Sequence, residues 1–88
     1  MMNLDSFRER LEASLRGQVE AVVEVALNED HGFEASIVSP AFEGMDEADR
    51  QALIWGIMRD AFNPNERKRI DFLFTDAPSE RPAPAAAH

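Results

Sequence analysis

The 88 residues contain no cysteine and no tyrosine, and tryptophan appears once. Without cysteine there is no disulfide framework, and no thiolate to hold a metal or attack a carbon. No apolar run approaches the roughly 18 residues of a membrane span. The first residues, "MMNLDSFRER", lack the apolar core of a signal peptide. A cytoplasmic protein with no membrane partner is the expectation. Lysine is scarce too: Lys68 is the single one among 9 bases, against 17 acids, for a formal net charge of -8. A field of that sign repels phosphate backbones and anionic lipid, so generic nucleic-acid binding starts at a disadvantage.

What is present suits one small domain. Hydrophobic residues make up 44% and charged residues 30%, ordinary values for a globular chain near the size where one core just suffices. Leu4, Phe7, Leu11 and Leu15 follow the three-and-four spacing of a helical face, which predicts a helix over residues 4–16. Ser6 with Glu9 fits a capping box, Asn3 is the other cap candidate, and Gly17 is a natural stop. In "QVEAVVEVAL", Val19, Ala21, Val23, Val25 and Leu27 alternate with their neighbours, as a half-buried strand does. "NEDHG" is turn chemistry, and "FEASIVS" resumes the alternation with Phe33, Ala35 and Ile37 on one face. The pair predicts an antiparallel hairpin.

From Asp46 to Phe62 the period is helical again, with Asn63-Pro64 as the stop. Its apolar arc is wide, and the margin carrying Trp55 and Phe62 is either a partner surface or packing against the first helix. "RIDFLFT" predicts a third strand with Ile70, Phe72 and Phe74 inward. A right-handed crossover should make it parallel to the second strand. The expected fold is a two-layer α+β domain of order α-β-β-α-β, with both helices on one face of a three-stranded mixed sheet. The domain is expected over residues 1–76, and the Pro/Ala-rich residues 77–88 as a disordered tail.

The junction "VSPAFEGMDEADR" carries the most particular residues. Phe42 leaves the sheet as an apolar anchor, and Gly44 allows the positive φ of a sharp turn. Arg50 sits in the first turn of the second helix, in the middle of the apolar arc, and needs an acceptor such as Glu43 or the turn's own carbonyls. It is either a clamp on the loop or an anion or partner contact. A second basic feature is "ERKR", where Arg67, Lys68 and Arg69 are a solvated strand entrance or a nucleic-acid contact.

These residues resemble the BolA-like family. Its members commonly show a strand ending in Val-Ser, two residues, Phe-x-Gly, and an arginine six residues after the glycine. Here Val38, Ser39, Phe42, Gly44 and Arg50 fit throughout, and Thr75, Pro78 and Glu80 match the family's end of the last strand. The resemblance implies a type II KH-like fold and an adaptor rather than an enzyme. It also implies pairing with a monothiol glutaredoxin and a shared [2Fe-2S] cluster in iron-sulfur or redox homeostasis. Some bacterial members are described as DNA-binding regulators of cell shape and stress response.

The family's first cluster ligand lies in the loop between the first two strands, where this chain has His31. The second is a histidine at the start of the last strand, and that place holds Arg69, which cannot ligate iron. About three extra residues around "NPNE" precede the strand. The isolated protein is therefore expected to be metal-free, and a shared cluster would have one ligand from this chain. Catalysis is not expected, because no nucleophile–base pair and no convergent acids are legible. Two alternatives from other classes remain: a nucleic-acid-binding stress or cell-morphology regulator of KH-like fold, and a protein-interaction module without metal. Against the first, "GIMR" is only half of the KH Gly-x-x-Gly loop. A monomer or weak dimer is expected.

Overall fold

The computed structural model describes residues 2–80. Helix α1 spans Leu4–Leu15 and is capped by Asn3, whose side chain accepts from the Ser6 N–H at 2.8 Å. Gly17, at φ +83°, turns the chain toward the sheet. Strands β1 (Val22–Leu27) and β2 (Phe33–Val38) pair antiparallel, with Val25 opposite Ala35. A 3-10 turn over Pro40–Phe42 then leads to helix α2, Glu47–Ala61. Strand β3, Ile70–Asp76, lies parallel to β2, and the sheet order is β1-β2-β3. The expected three-stranded mixed sheet with its helices on one face is borne out.

Phe33, Ala35 and Ile37 of β2 point at the helices, and all three are buried. Phe7, Leu11 and Leu15 of α1 meet them from one side, Ile54 and Met58 of α2 from the other. Phe7 stacks on Phe33 with ring centroids 4.8 Å apart and meets Phe62 at 5.6 Å. Burying a side chain of this size stabilises the fold by about 1.5–3 kcal/mol relative to exposure.

Asn63-Pro64 does stop α2, and it also starts a short helix α3, Pro64–Arg67. Proline at the first helical position gives up no needed N–H. Asn63 and Glu66 form a reciprocal capping box, and the Glu66 carboxylate also receives the Arg10 guanidinium from α1. The extra residues before β3 are thus a capped helical turn tied to α1.

Strand β3 departs from the expected alternation. Ile70 faces the core opposite Phe33, but Phe72, not Asp71, is the residue opposite Glu34. Asp71 is an unpaired bulge residue, and it shifts the phase of everything after it. Leu73 and Thr75 turn inward and are buried, while Phe72 and Phe74 lie on the sheet's open face, each 51% exposed. Asp71 is held out by the Asn28 side-chain amide, which donates to its carboxylate across 43 residues of sequence.

The domain also runs past the boundary expected at residue 76. Ala77 is fully buried and Pro78–Glu80 form a 3-10 turn. The cause is the Glu80 carboxylate, which is drawn back to Arg50. Residues 81–88 of the expected tail lie outside the described residues.

Candidate functional site

The parallel pairing of β2 and β3 puts their first residues side by side. The Phe33 N–H donates to the Arg69 carbonyl at 2.7 Å, and Ile70 lies opposite Phe33. The Arg69 guanidinium carbon sits 5.0 Å above the Phe33 ring centroid. A cation over an aromatic face is held there without losing its capacity to bond an anion from outside. His31 lies two residues before Phe33, is exposed, and has φ +64°.

That left-handed residue belongs to a tightly bonded loop. Asn28 Oδ1 accepts from the N–H groups of Asp30 and Gly32, both at 2.9 Å. The Asn28 carbonyl accepts from the His31 N–H at 3.0 Å, and the Asn28 N–H donates to the Gly32 carbonyl at 2.9 Å. A Cβ on Gly32 would overlap the Asp71 carboxylate, so any other residue here must displace that side chain from Asn28. Loop and bulge therefore fix each other, and together they position the backbone of His31. Sequence reading missed Asn28, Gly32 and Asp71 in this role. An asparagine four residues before a glycine in a hairpin loop was the available signal.

The second cluster lies at the start of α2. Arg50 is 6% exposed. Its Nη1 and Nη2 donate to Glu80 at 2.6 and 2.7 Å, its Nε donates to the Met45 carbonyl at 3.0 Å, and Nη1 also reaches the Thr75 carbonyl at 3.3 Å. The turn carbonyl was expected as an acceptor; Glu43 was not the acid that answers, since it accepts from the Ser79 hydroxyl instead. Glu47 accepts from the Thr75 hydroxyl at 2.7 Å, and that bond is the main reason its carboxyl titrates below the ordinary range. Every donor of the guanidinium that is satisfied here points at the protein itself. The arrangement clamps the junction and the end of β3 onto α2.

The remaining sites separate. Phe62 is buried against Phe7 with Arg10 lying 4.6 Å over its ring, so it is core and not a partner surface. Trp55 is half-buried and donates its indole N–H to Gln51. Arg67 donates to the Arg59 and Phe62 carbonyls at the end of α2, leaving Lys68 as the exposed member of "ERKR". Phe42 is fully buried and Gly44 has φ +76°, as the junction reading requires.

No family model and no curated protein matches the sequence. Solved structures do match. BolA1 from Arabidopsis thaliana is 25% identical over 84% of this chain and 94% of its own, with a TM-score of 0.57. The fold is BolA-like. A bolA protein homologue from Coxiella burnetii is 23% identical, with 91% of this chain and 96% of its own covered and a TM-score of 0.61. The likeness read from the Val38–Arg50 motif and the end of the last strand thus extends, as a fold, over 84% and 91% of the chain in the two comparisons.

The donor set of this BolA-like domain does not fit a [2Fe-2S] cluster held by two of its own side chains. Cysteine is absent from the sequence. Among the described residues His31 is the one imidazole, and Arg69, bonded through its carbonyl to Phe33, has no lone pair to give. Among the described residues no group of three His, Cys, Asp or Glu side chains could hold a metal ion. No helix of the described residues is long and apolar enough to cross a membrane.

Proposed function

We propose that the protein is an adaptor that docks a monothiol glutaredoxin at the edge carrying the His31 loop and Arg69, without a cluster held by two of its own ligands. The observation that supports this reading is the bond between the Phe33 N–H and the Arg69 carbonyl, which ties the start of β3 to the strand that follows the His31 loop. A guanidinium held over Phe33 suits a carboxylate, such as that of glutathione on a glutaredoxin. It offers charge and hydrogen bonds where a histidine would offer a metal ligand. The adaptor reading needs no catalytic step.

The nucleic-acid reading is weaker. Arg67 is engaged with helix carbonyls and Arg69 with Phe33, so "ERKR" does not present a continuous basic face. The test is co-expression with a monothiol glutaredoxin, then size exclusion while visible absorbance is followed. A weak, colourless complex is expected. A stable coloured complex from the wild type overturns the cluster-free part, and no complex at all overturns the glutaredoxin part.

A further inference from the structure

The outer edge of β1 is open where the outer edge of β3 is closed. On β3 the outward carbonyls of Leu73 and Thr75 are taken by side chains of α2, Gln51 at 2.9 Å and Arg50 at 3.3 Å. On β1 the pairing with β2 fixes which backbone groups turn outward. Asn28 donates its N–H to the Gly32 carbonyl, and in an antiparallel pair every second residue faces the partner strand, so Ala26, Glu24 and Val22 turn their groups to β2. The N–H and C=O groups of Val23, Val25 and Leu27 therefore point away from the sheet, and among the described residues nothing bonds to them. Proteins usually blunt such an edge with proline, lysine or a bulge. The β1 segment "VVEVAL" has none of the three.

A cleft of about 460 Å³ opens beside the start of that edge, between α1 and the segment that enters β1. Leu15, Val19, Ala21 and Val23 give it an apolar floor, and Glu12, Arg16 and Glu20 line it. The carboxylates of Glu12 and Glu20 have no bonding partner among the described residues. Past the other end of the strand, Glu29 and Asp30 are exposed. We propose that β1 and this cleft bind an extended segment of a partner protein, apolar in its middle and basic at its ends, which joins the sheet as a fourth strand. The outward groups of Val23, Val25 and Leu27 supply its backbone bonds, and the cleft takes its alternate side chains. Charge selects this occupant over a second copy. Two β1 edges that pair antiparallel about their middle set acid against acid, with Glu24 opposite its own equivalent in one register and Glu20 brought toward Asp30 in the next. Strand β2 separates this edge from β3 and Arg69, so the inference stands without the glutaredoxin reading.

The test uses the full chain, isotope-labelled, titrated with a short valine–threonine peptide that carries two lysines at each end. Comparison peptides replace the lysines by glutamate, or N-methylate alternate backbone nitrogens of the lysine form. Amide shifts should concentrate on Ala21, Val23, Val25 and Leu27, with the glutamate and N-methylated peptides each bound at least tenfold more weakly. Val25→Pro should weaken the lysine peptide about tenfold, because it removes an outward N–H while leaving the β1–β2 ladder whole. Glu20→Lys should weaken it independently of that change. Circular dichroism checks that the variants fold, and the N-methylated peptide tests the edge on the unaltered chain. Equal binding of the lysine and N-methylated peptides overturns the proposal, since it leaves only charge attraction. So does equal binding of the glutamate peptide, or shifts that fall on the helices or β3 instead. A dimer of the chain alone in sedimentation, abolished by Val25→Pro, gives the edge to a second copy and also overturns it.

Discussion

Arg50 and Glu80 face each other in two parallel hydrogen bonds, Nη1 to Oε1 at 2.6 Å and Nη2 to Oε2 at 2.7 Å. Thirty residues separate them in sequence, and the pair joins the first turn of α2 to the 3-10 turn that follows β3. The cation is buried while the carboxylate is partly open to solvent. Removing Arg50 takes away the bonds to Glu80, Met45 and Thr75 together, whereas removing Glu80 takes away its own two and leaves the guanidinium its carbonyl acceptors.

Arg50→Ala should therefore lower the thermal midpoint by roughly 5–10 °C, the scale that a small domain shows for loss of one buried bonded group. Arg50→Lys should recover little of this, since an ammonium cannot form the parallel pair and also reach the Met45 and Thr75 carbonyls. Glu80→Ala should fall between the wild type and Arg50→Ala. Melting followed by circular dichroism decides it, and a midpoint unchanged in Arg50→Ala removes the clamp.

The same contacts set an acid limit. The Arg50 guanidinium and the Ala77 N–H hold the Glu80 carboxyl at a pKa of about 2, against an ordinary 4.5. Arg10 and the Asn63 N–H do the same for Glu66, also at about 2. A carboxyl whose folded pKa is depressed gives stability that is fully present above its unfolded value and lost as the pH falls through the folded one. Stability should hold above about pH 4.5 and decline from there toward pH 2. In Glu80→Gln the decline should be shallower, by the uptake of one proton on unfolding. Urea midpoints measured across that range test this, and parallel curves for the variant and the wild type contradict it.

Gly32→Ala should destabilise by about 1–2 kcal/mol, because its new methyl must displace the Asp71 carboxylate and with it the bond from Asn28. Asp71→Ala removes the obstacle. The double variant should then lose less than the sum of the two single changes, the signature of a shared contact. Additive losses in a denaturant cycle would mean that Gly32 and Asp71 do not meet as described.

The helices and the hairpin were legible because their burial is local and periodic. Phe7, Leu11 and Leu15 announce a face within one segment, and so do Phe33, Ala35 and Ile37. Strand β3 was legible in place and direction but not in phase. "IDFLFTD" alternates cleanly with its phenylalanines inward, and nothing within the strand shows that Asn28 pulls Asp71 out of the ladder. Glu80 was hidden differently. The proline and alanine around it read as tail, and its order comes from a partner in another element. Arg50 was marked as needing an acceptor, and the motif showed the need without showing that Glu80 meets it. At the candidate site, the parallel crossover was enough to bring the His31 loop near Arg69. The loop's internal bonding was not, because Asn28, Gly32 and Asp71 act through one three-dimensional contact.

Arg69 offers the sharpest functional change. It stands at the start of β3, with its carbonyl bonded to Phe33 and its guanidinium over the Phe33 ring. The backbone bond does not depend on the side chain, so Arg69→His should leave the pairing of β2 and β3 intact. The variant would place an imidazole near the loop that carries His31, giving the edge two nitrogen donors where it has one. Co-expressed with a monothiol glutaredoxin, Arg69→His should give a complex with visible absorbance that the wild type lacks. Adding His31→Ala should abolish the colour, while Arg69→Ala alone should produce neither colour nor the weak wild-type complex. The readouts are elution volume and the absorbance spectrum of the same peak. If Arg69→His stays colourless with iron and glutathione supplied, the edge does not provide the convergence assigned to it. If colour persists after His31→Ala, the ligand lies elsewhere in the complex and the His31 assignment is wrong.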